Sequence, residues 1–221
     1  MMKVKEHIAQ EVKKIATQGK AVDEKVVAFV KSDFQKILAD SEKAGQSIKQ
    51  STKEMLEGVE TGLRAAGHKT EDIVSRSANA IADATHDITV QSLDAARSTA
   101  NDAKALLDKA VDKSFDDMDK IKATTKAGMD KAYAALQEKT AAEKQKLNEV
   151  GEGIKEYAGN KAHELTDATR SALHKSAEKS IDHLQVLTEV SEAHGKRLLH
   201  HSHAKVSEWL EMLKNKVHHK T

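Results

Sequence analysis

Histidine is the one side chain present in quantity that could act as a reagent in this 221-residue chain. Six of the twelve fall in the last stretch: His194, His200, His201, His203, His218 and His219. His200 and His203 would lie one turn apart on a helix, close enough to share a metal, with His201 or Glu208 beside them. Zinc sites of that kind carry fixed spacings and usually thiolates or a carboxylate in register, and this chain has no cysteine. Neither a metal nor a cofactor is therefore expected. The plainer expectation is a solvated tail over 194–221. There Lys196, Arg197, Lys205, Lys214, Lys216 and Lys220 face only Glu208 and Glu211, and the histidines add charge as pH falls through about 6.5. Such a tail is expected to anchor on anionic surfaces, more strongly in acid.

The other reagents are thinner still. Serines are common, yet no Gly-x-Ser-x-Gly elbow frames one. Carboxylate pairs such as Asp116 and Asp117 fall on solvated faces, and no glycine-rich phosphate loop occurs. No enzyme and no small-molecule substrate is expected.

The elements that carry these residues announce themselves by period. Stepping 4, 3 and 4 residues from Val4 gives Val4, Ile8, Glu11, Ile15, Gly19, Val22, Val26 and so on to Val217 and Lys220. This path visits 60 positions, of which four are charged (Glu11, Asp33, Glu143 and Lys220), although charged residues make up 32% of the chain. Eleven residues in three turns is about 3.67 per turn, so these positions form one stripe down a helix. The stripe holds 38 apolar residues, 15 serines or threonines and three glycines. Leu136, Leu147, Ile154, Leu165, Leu173, Leu184, Leu187 and Leu198 strengthen it toward the C-terminus. Trp209 and Leu213 close it, and the indole suits a membrane-interface anchor or a plug between helices.

Proline is absent, which leaves long helices possible, and aromatics amount to 3% of residues, too few for a thick core. The fold expected is all-α, one helical repeat region in about three segments near 3–57, 70–149 and 161–218, broken near glycine clusters. Those clusters are Gly58, Gly62 and Gly67, then Gly151, Gly153 and Gly159. Gly67 and Thr70 are suited to end one helix and cap the next.

Lysines edge the stripe (Lys14, Lys25, Lys36, Lys113, Lys146, Lys179) and acids back it (Asp83, Asp94, Glu149, Glu156, Asp167). Boundary lysines can lay their methylenes on apolar surface while the ammonium reaches water or phosphate, the layout of a helix lying on a lipid surface. A stripe so diluted by Ala, Ser and Thr is expected to need a foreign apolar boundary to order it. The alternative is a stable bundle or right-handed coiled coil whose partners are other helices, self-association included. The lysines and acids balance at net +1, so nucleic acid is not an expected partner. No run is long enough to cross a bilayer, and Met1–His7 resembles neither a secretory nor a mitochondrial leader, so a cytoplasmic, peripherally bound protein is expected.

Ser98–Lys104 (STANDAK), Lys139–Lys144 (KTAAEK) and Lys175–Lys179 (KSAEK) resemble the 11-residue units of group 3 late embryogenesis abundant proteins. That resemblance implies helices that form on drying or at membranes and protect them. The pattern is also similar to exchangeable apolipoproteins and to perilipin and synuclein repeats, which implies a lipid coat, and in kind to phasins on polyester granules. Ile, Leu and Val are more frequent here than in desiccation proteins, and apolipoprotein-like proline punctuation is missing.

Overall fold

A computed structural model describes the backbone of residues 4–44, 47–113 and 118–218. Side chains are described for these except 41–44, 107–113, 118–126, 183–188, 199, 201–203, 205–206, 209–210 and 212–218. The described residues form six helices and no strand: α1 (Val4–Thr17), α2 (Val22–Ala44), α3 (Ile48–Ala65), α4 (Glu71–Lys113), α5 (Met118–Asn160) and α6 (Asp167–His218). The all-α architecture is that of the sequence reading; the number of helices is not.

The breaks have local causes. Gly19 and Ala21 take positive φ of 78° and 52°, which ends α1 at Thr17 although the stripe continues in phase. Gly67, at φ 76°, terminates α3 by returning its N–H to the Arg64 carbonyl at 3.0 Å, while His68 N–H reaches the Leu63 carbonyl at 3.0 Å. Ser47 caps α3 by accepting from Gln50 N–H, and Thr166 caps α6 by accepting from Thr169 N–H. Of the remaining clustered glycines, Gly58 and Gly62 lie inside α3 and Gly151 and Gly153 inside α5, while Gly159 stands beside the end of α5. Gly58, Gly62 and Gly153 serve close approach instead.

The chain divides into two compact units. The first comprises Met1–Thr89 with Lys144–Gln185, the second Val90–Glu143 with Val186–Thr221. Helices α4, α5 and α6 contribute residues to both. In the first unit the apolar cluster joins Ile8, Val12, Val26, Val30, Phe34, Leu38, Leu56, Val59, Leu63, Ile81, Ile154, Tyr157 and Leu173. Its pairings run parallel between alternate helices. Lys5 meets Glu57 and Ile8 lies on Gly58, joining α1 to α3. Lys53 and Glu156 join α3 to α5, and Asp83 and Lys179 join α4 to α6. The second unit has a smaller core, in which Ala100, Met129 and Leu198 pack with Ala103 and Ala132. Leu93 and Leu136 are buried as well.

Two glycine crossings set how near the helices of the first unit come. A Cβ added at Gly62 would stand 2.6 Å from the Ala9 carbonyl oxygen and 2.9 Å from Val12 Cβ. One added at Gly58 would stand 2.8 Å from the Lys5 carbonyl oxygen, and one at Gly153 would stand 2.6 Å from that of Lys49. Backbone therefore meets backbone and side chain directly where α1 crosses α3 and where α3 crosses α5. This contact geometry is familiar from small-xxx-small helix pairs.

Candidate interaction face

The 11-residue stripe contributes to both cores, joined by off-stripe residues such as Phe34, Leu38, Tyr157 and Ala100. Among stripe residues whose burial is described, only Gly19 and Thr99 are exposed. Leu136, Leu147, Ile154, Leu173 and Leu198 are buried and Leu165 is half-buried, each against neighbouring helices of its own unit. Leu184, Leu187, Trp209 and Leu213 lie outside the residues whose side chains are described, as does Lys113. The stripe thus finds a partner within the chain, the situation anticipated for the bundle alternative.

The polar residues in the seam fall into two chemical kinds. Most stripe hydroxyls donate backward to their own helix: Thr52 to the Ile48 carbonyl (2.8 Å), Thr85 to Ile81 (2.8 Å), Thr140 to Leu136 (2.7 Å), Ser176 to Ala172 (2.9 Å) and Ser180 to Ser176 (3.3 Å). Ser176 also reaches Asn79 of α4 at 2.8 Å. The other four need nothing from the facing helix and are buried without an unmet donor, whereas the buried Ser77 hydroxyl has no hydrogen-bond partner. The second kind reaches across. In the second unit Ser92 donates to the buried Glu143 carboxylate at 2.9 Å, Lys139 stands 3.5 Å from it, and Arg97 donates to Ser191 at 3.0 Å. Thr85→Val is accordingly expected to change stability by no more than about 1 kcal/mol, since no cross-helix bond is lost. Ser92→Ala, which takes a donor from a buried carboxylate, is expected to cost about 1–3 kcal/mol. Chemical denaturation of the two variants checks the contrast.

The lysine edge is mostly exposed, while several acids behind the stripe are engaged with neighbouring helices. Lys14 pairs with Glu11 and Lys36 with Asp33, each within its own helix, and Lys25 is exposed. Lys179 instead bridges to Asp83 at 2.7 Å, and Lys146 alone among the described members of that column is buried. Acids opposite the stripe fasten helices together. Glu149 accepts from Ile48 N–H at 3.0 Å, and Glu156 is held by Lys53 at 2.7 Å and Lys49 at 3.0 Å.

One cluster has no signal in the period at all. Tyr157, buried in α5, donates its hydroxyl to the buried Glu60 carboxylate of α3 at 3.0 Å. Arg64 approaches the same carboxylate at 2.6 Å and Lys161 at 3.5 Å, while Glu164 pairs with both cations. Burial pushes the Tyr157 phenol far above its usual range, and the Glu60 charge adds to the shift. A spacing of 97 residues separates the two partners, so only the tertiary fold brings them together.

Carboxylates tie the acid stability of the first unit to these fasteners. The Thr166 hydroxyl, then that of Thr169, holds Glu71 below its ordinary pKa of 4.5. Lys53 and Lys49 hold Glu156 down in the same way, and Lys161 and Arg64 hold Glu164 down. A carboxylate lowered in the folded state stabilises it above the unfolded pKa and loses that contribution as pH falls through the folded one. The first unit is therefore expected to be insensitive to these groups at neutral pH and to weaken progressively below about 4.5. Glu71→Gln should flatten part of that acid limb in a melting-temperature series.

Among the described residues, no group of three or more His, Asp or Glu side chains could hold a metal; His200 is exposed, and the His203 side chain lies outside them. No helix among the described residues is long and apolar enough to cross a membrane. The groove between α1 and α3 is lined by Lys5, Glu6, Gln50, Lys53, Glu54 and Glu57, and both of its lysines are engaged in ion pairs.

Similarity adds nothing to this geometry. No protein-family model matches the chain, and no curated protein or solved structure is significantly similar to it. The face itself has to carry the reading.

Proposed function

We propose that this is a non-enzymatic, peripheral amphipathic-helix protein whose stripe exchanges its intramolecular partner for lipid or another apolar surface. Stress protection or the coating of a lipid or polymer particle is the corresponding role, and the cytoplasm the corresponding place. The observation that supports this is the set of stripe hydroxyls bonded to their own helices. Those hydroxyls can leave one apolar partner for another without stranding a donor. The cross-helix bonds of Ser92, Thr169 and Ser176 would be given up, and Ser77 is already buried without a hydrogen-bond partner. The second unit is where this is easiest. Its core is small, and the exposed large apolar side chains among the described residues, Leu106 and Val190, both belong to it.

Flotation with anionic vesicles, with helicity followed by circular dichroism, tests the proposal. Co-flotation with helicity kept or raised is expected. A protein that stays in the dense fraction, with an unchanged cooperative melt, would instead identify a structural bundle. That second reading draws on the glycine crossings of the first unit, whose fit is specific to helix partners.

A further inference from the structure

We propose that α1 is exchangeable between two copies of this chain, so that a dimer forms by swapping α1 across the Gln18–Ala21 turn. Three independent observations converge on that turn. The first is backbone strain. Ala21 holds φ +52°, a left-handed conformation that a residue with a Cβ adopts at a cost, immediately before α2. The second is phase. The stripe passes from Ile15 through Gly19 to Val22 and Val26 without a skip, although a turn between packed helices imposes no such requirement. If residues 18–21 became helical, α1 and α2 would form one helix with a single continuous apolar face. The third is the dock itself. Gly58 and Gly62 open a cleft on α3 into which Ile8 and Val12 of α1 fit, flanked by the Lys5–Glu57 pair at 3.0 Å.

Opening the turn would leave that cleft bare, and what fits it is α1 of a second copy. Each contact made within one chain is then remade between two, in a closed two-fold arrangement. Contacts cancel between the two states, so the balance rests on the turn and on protein concentration. Gly19 offers a clean handle, because a Cβ there would meet nothing within 4 Å. Gly19→Ala penalises the turn, where φ is +78°, and favours helix, whereas Ala21→Gly relieves the turn. A dimer contains two hinges, so a tenfold effect at each compounds to about a hundredfold in the dimerisation constant.

The experiment uses the full chain in lipid-free buffer, which separates it from the surface-binding reading. Because the chain lacks cysteine, one population carries Lys5→Cys and a second Glu57→Cys. The two are mixed, unfolded, refolded at high and low concentration, and mildly oxidised. Mixed disulfides, each joining a Lys5→Cys chain to a Glu57→Cys chain, are expected. They should be favoured by concentration, enriched in the Gly19→Ala background and depleted with Ala21→Gly. The idea is overturned if light scattering finds Gly19→Ala monomeric at every concentration. It is equally overturned if mixed disulfides are no commoner than disulfides between two chains carrying the same substitution. Should Gly19→Ala not refold, the wild-type turn compared with Ala21→Gly decides by the same crosslink.

Discussion

Gly58→Ala combined with Gly62→Ala is expected to unfasten α1 from α3, with a loss of about 2–6 kcal/mol if the two overpacking costs add. Alanine ordinarily strengthens a helix interior relative to glycine by about 0.5–1 kcal/mol, so the sign has to be argued. Here the added methyls would meet the Lys5 and Ala9 carbonyl oxygens at 2.8 and 2.6 Å. Backbone atoms of a packed helix cannot rotate away as a long side chain can, so α1 must move bodily off α3. The same substitution at Gly128 has the opposite expectation. That residue is exposed within α5 and a Cβ there meets nothing within 4 Å, so Gly128→Ala should stabilise by about 0.5–1 kcal/mol. Urea titration followed by helicity, with amide exchange of residues 4–17 as the local readout, measures both signs.

Tyr157→Ala is expected to cost the first unit about 3–5 kcal/mol, the usual penalty for truncating a buried aromatic. Tyr157 is among the largest fully buried side chains and also a donor to the buried Glu60. Tyr157→Phe separates the two contributions, because the ring stays and only the hydroxyl goes. Losing a hydrogen bond to a charged group is worth about 1.5–3 kcal/mol. Glu60 keeps Arg64 and Lys161 nearby, so the Phe variant is expected toward the lower end of that range. If Tyr157→Phe matched Tyr157→Ala, the bond would outweigh the ring and the packing argument would be wrong.

Much of the core is legible from period alone, and the places where period fails are informative. Val26, Ile81, Leu147 and Leu173 stand out as one face because an 11-residue spacing is local, and the fold buries that face in both units. Val12, Phe34, Leu38, Leu56 and Tyr157 are off the stripe yet fully buried. In α1 and α2 the buried residues step by four along one ridge (Ile8, Val12, Ala16; Val22, Val26, Val30, Phe34, Leu38) and so leave the 11-residue path, whereas α3 and α5 are buried on more than one side. Glycine weakens helices, which predicts breaks near the two glycine clusters, and α3 ends beside Gly67 and α5 beside Gly159. Gly58, Gly62 and Gly153 stay helical, since the missing Cβ there is what lets two helices meet. Partners such as Ser92 and Glu143, 51 residues apart, or Tyr157 and Glu60, 97 apart, leave no trace in a local pattern. Glu143 is conspicuous as one of only four charges on the stripe and is fully buried, where Ser92 donates to it and Lys139 stands beside it.

The central claim is that the stripe keeps its helices while changing what covers it. Spin labels at Ser98→Cys in α4 and Glu192→Cys in α6 report on this directly, since both sites are exposed and flank the Arg97–Ser191 bond. With anionic vesicles bound, the account predicts that the short label-to-label distance gives way to a long one while helicity is retained. An unaltered distance on the bound protein, or separation accompanied by loss of helix, would contradict it.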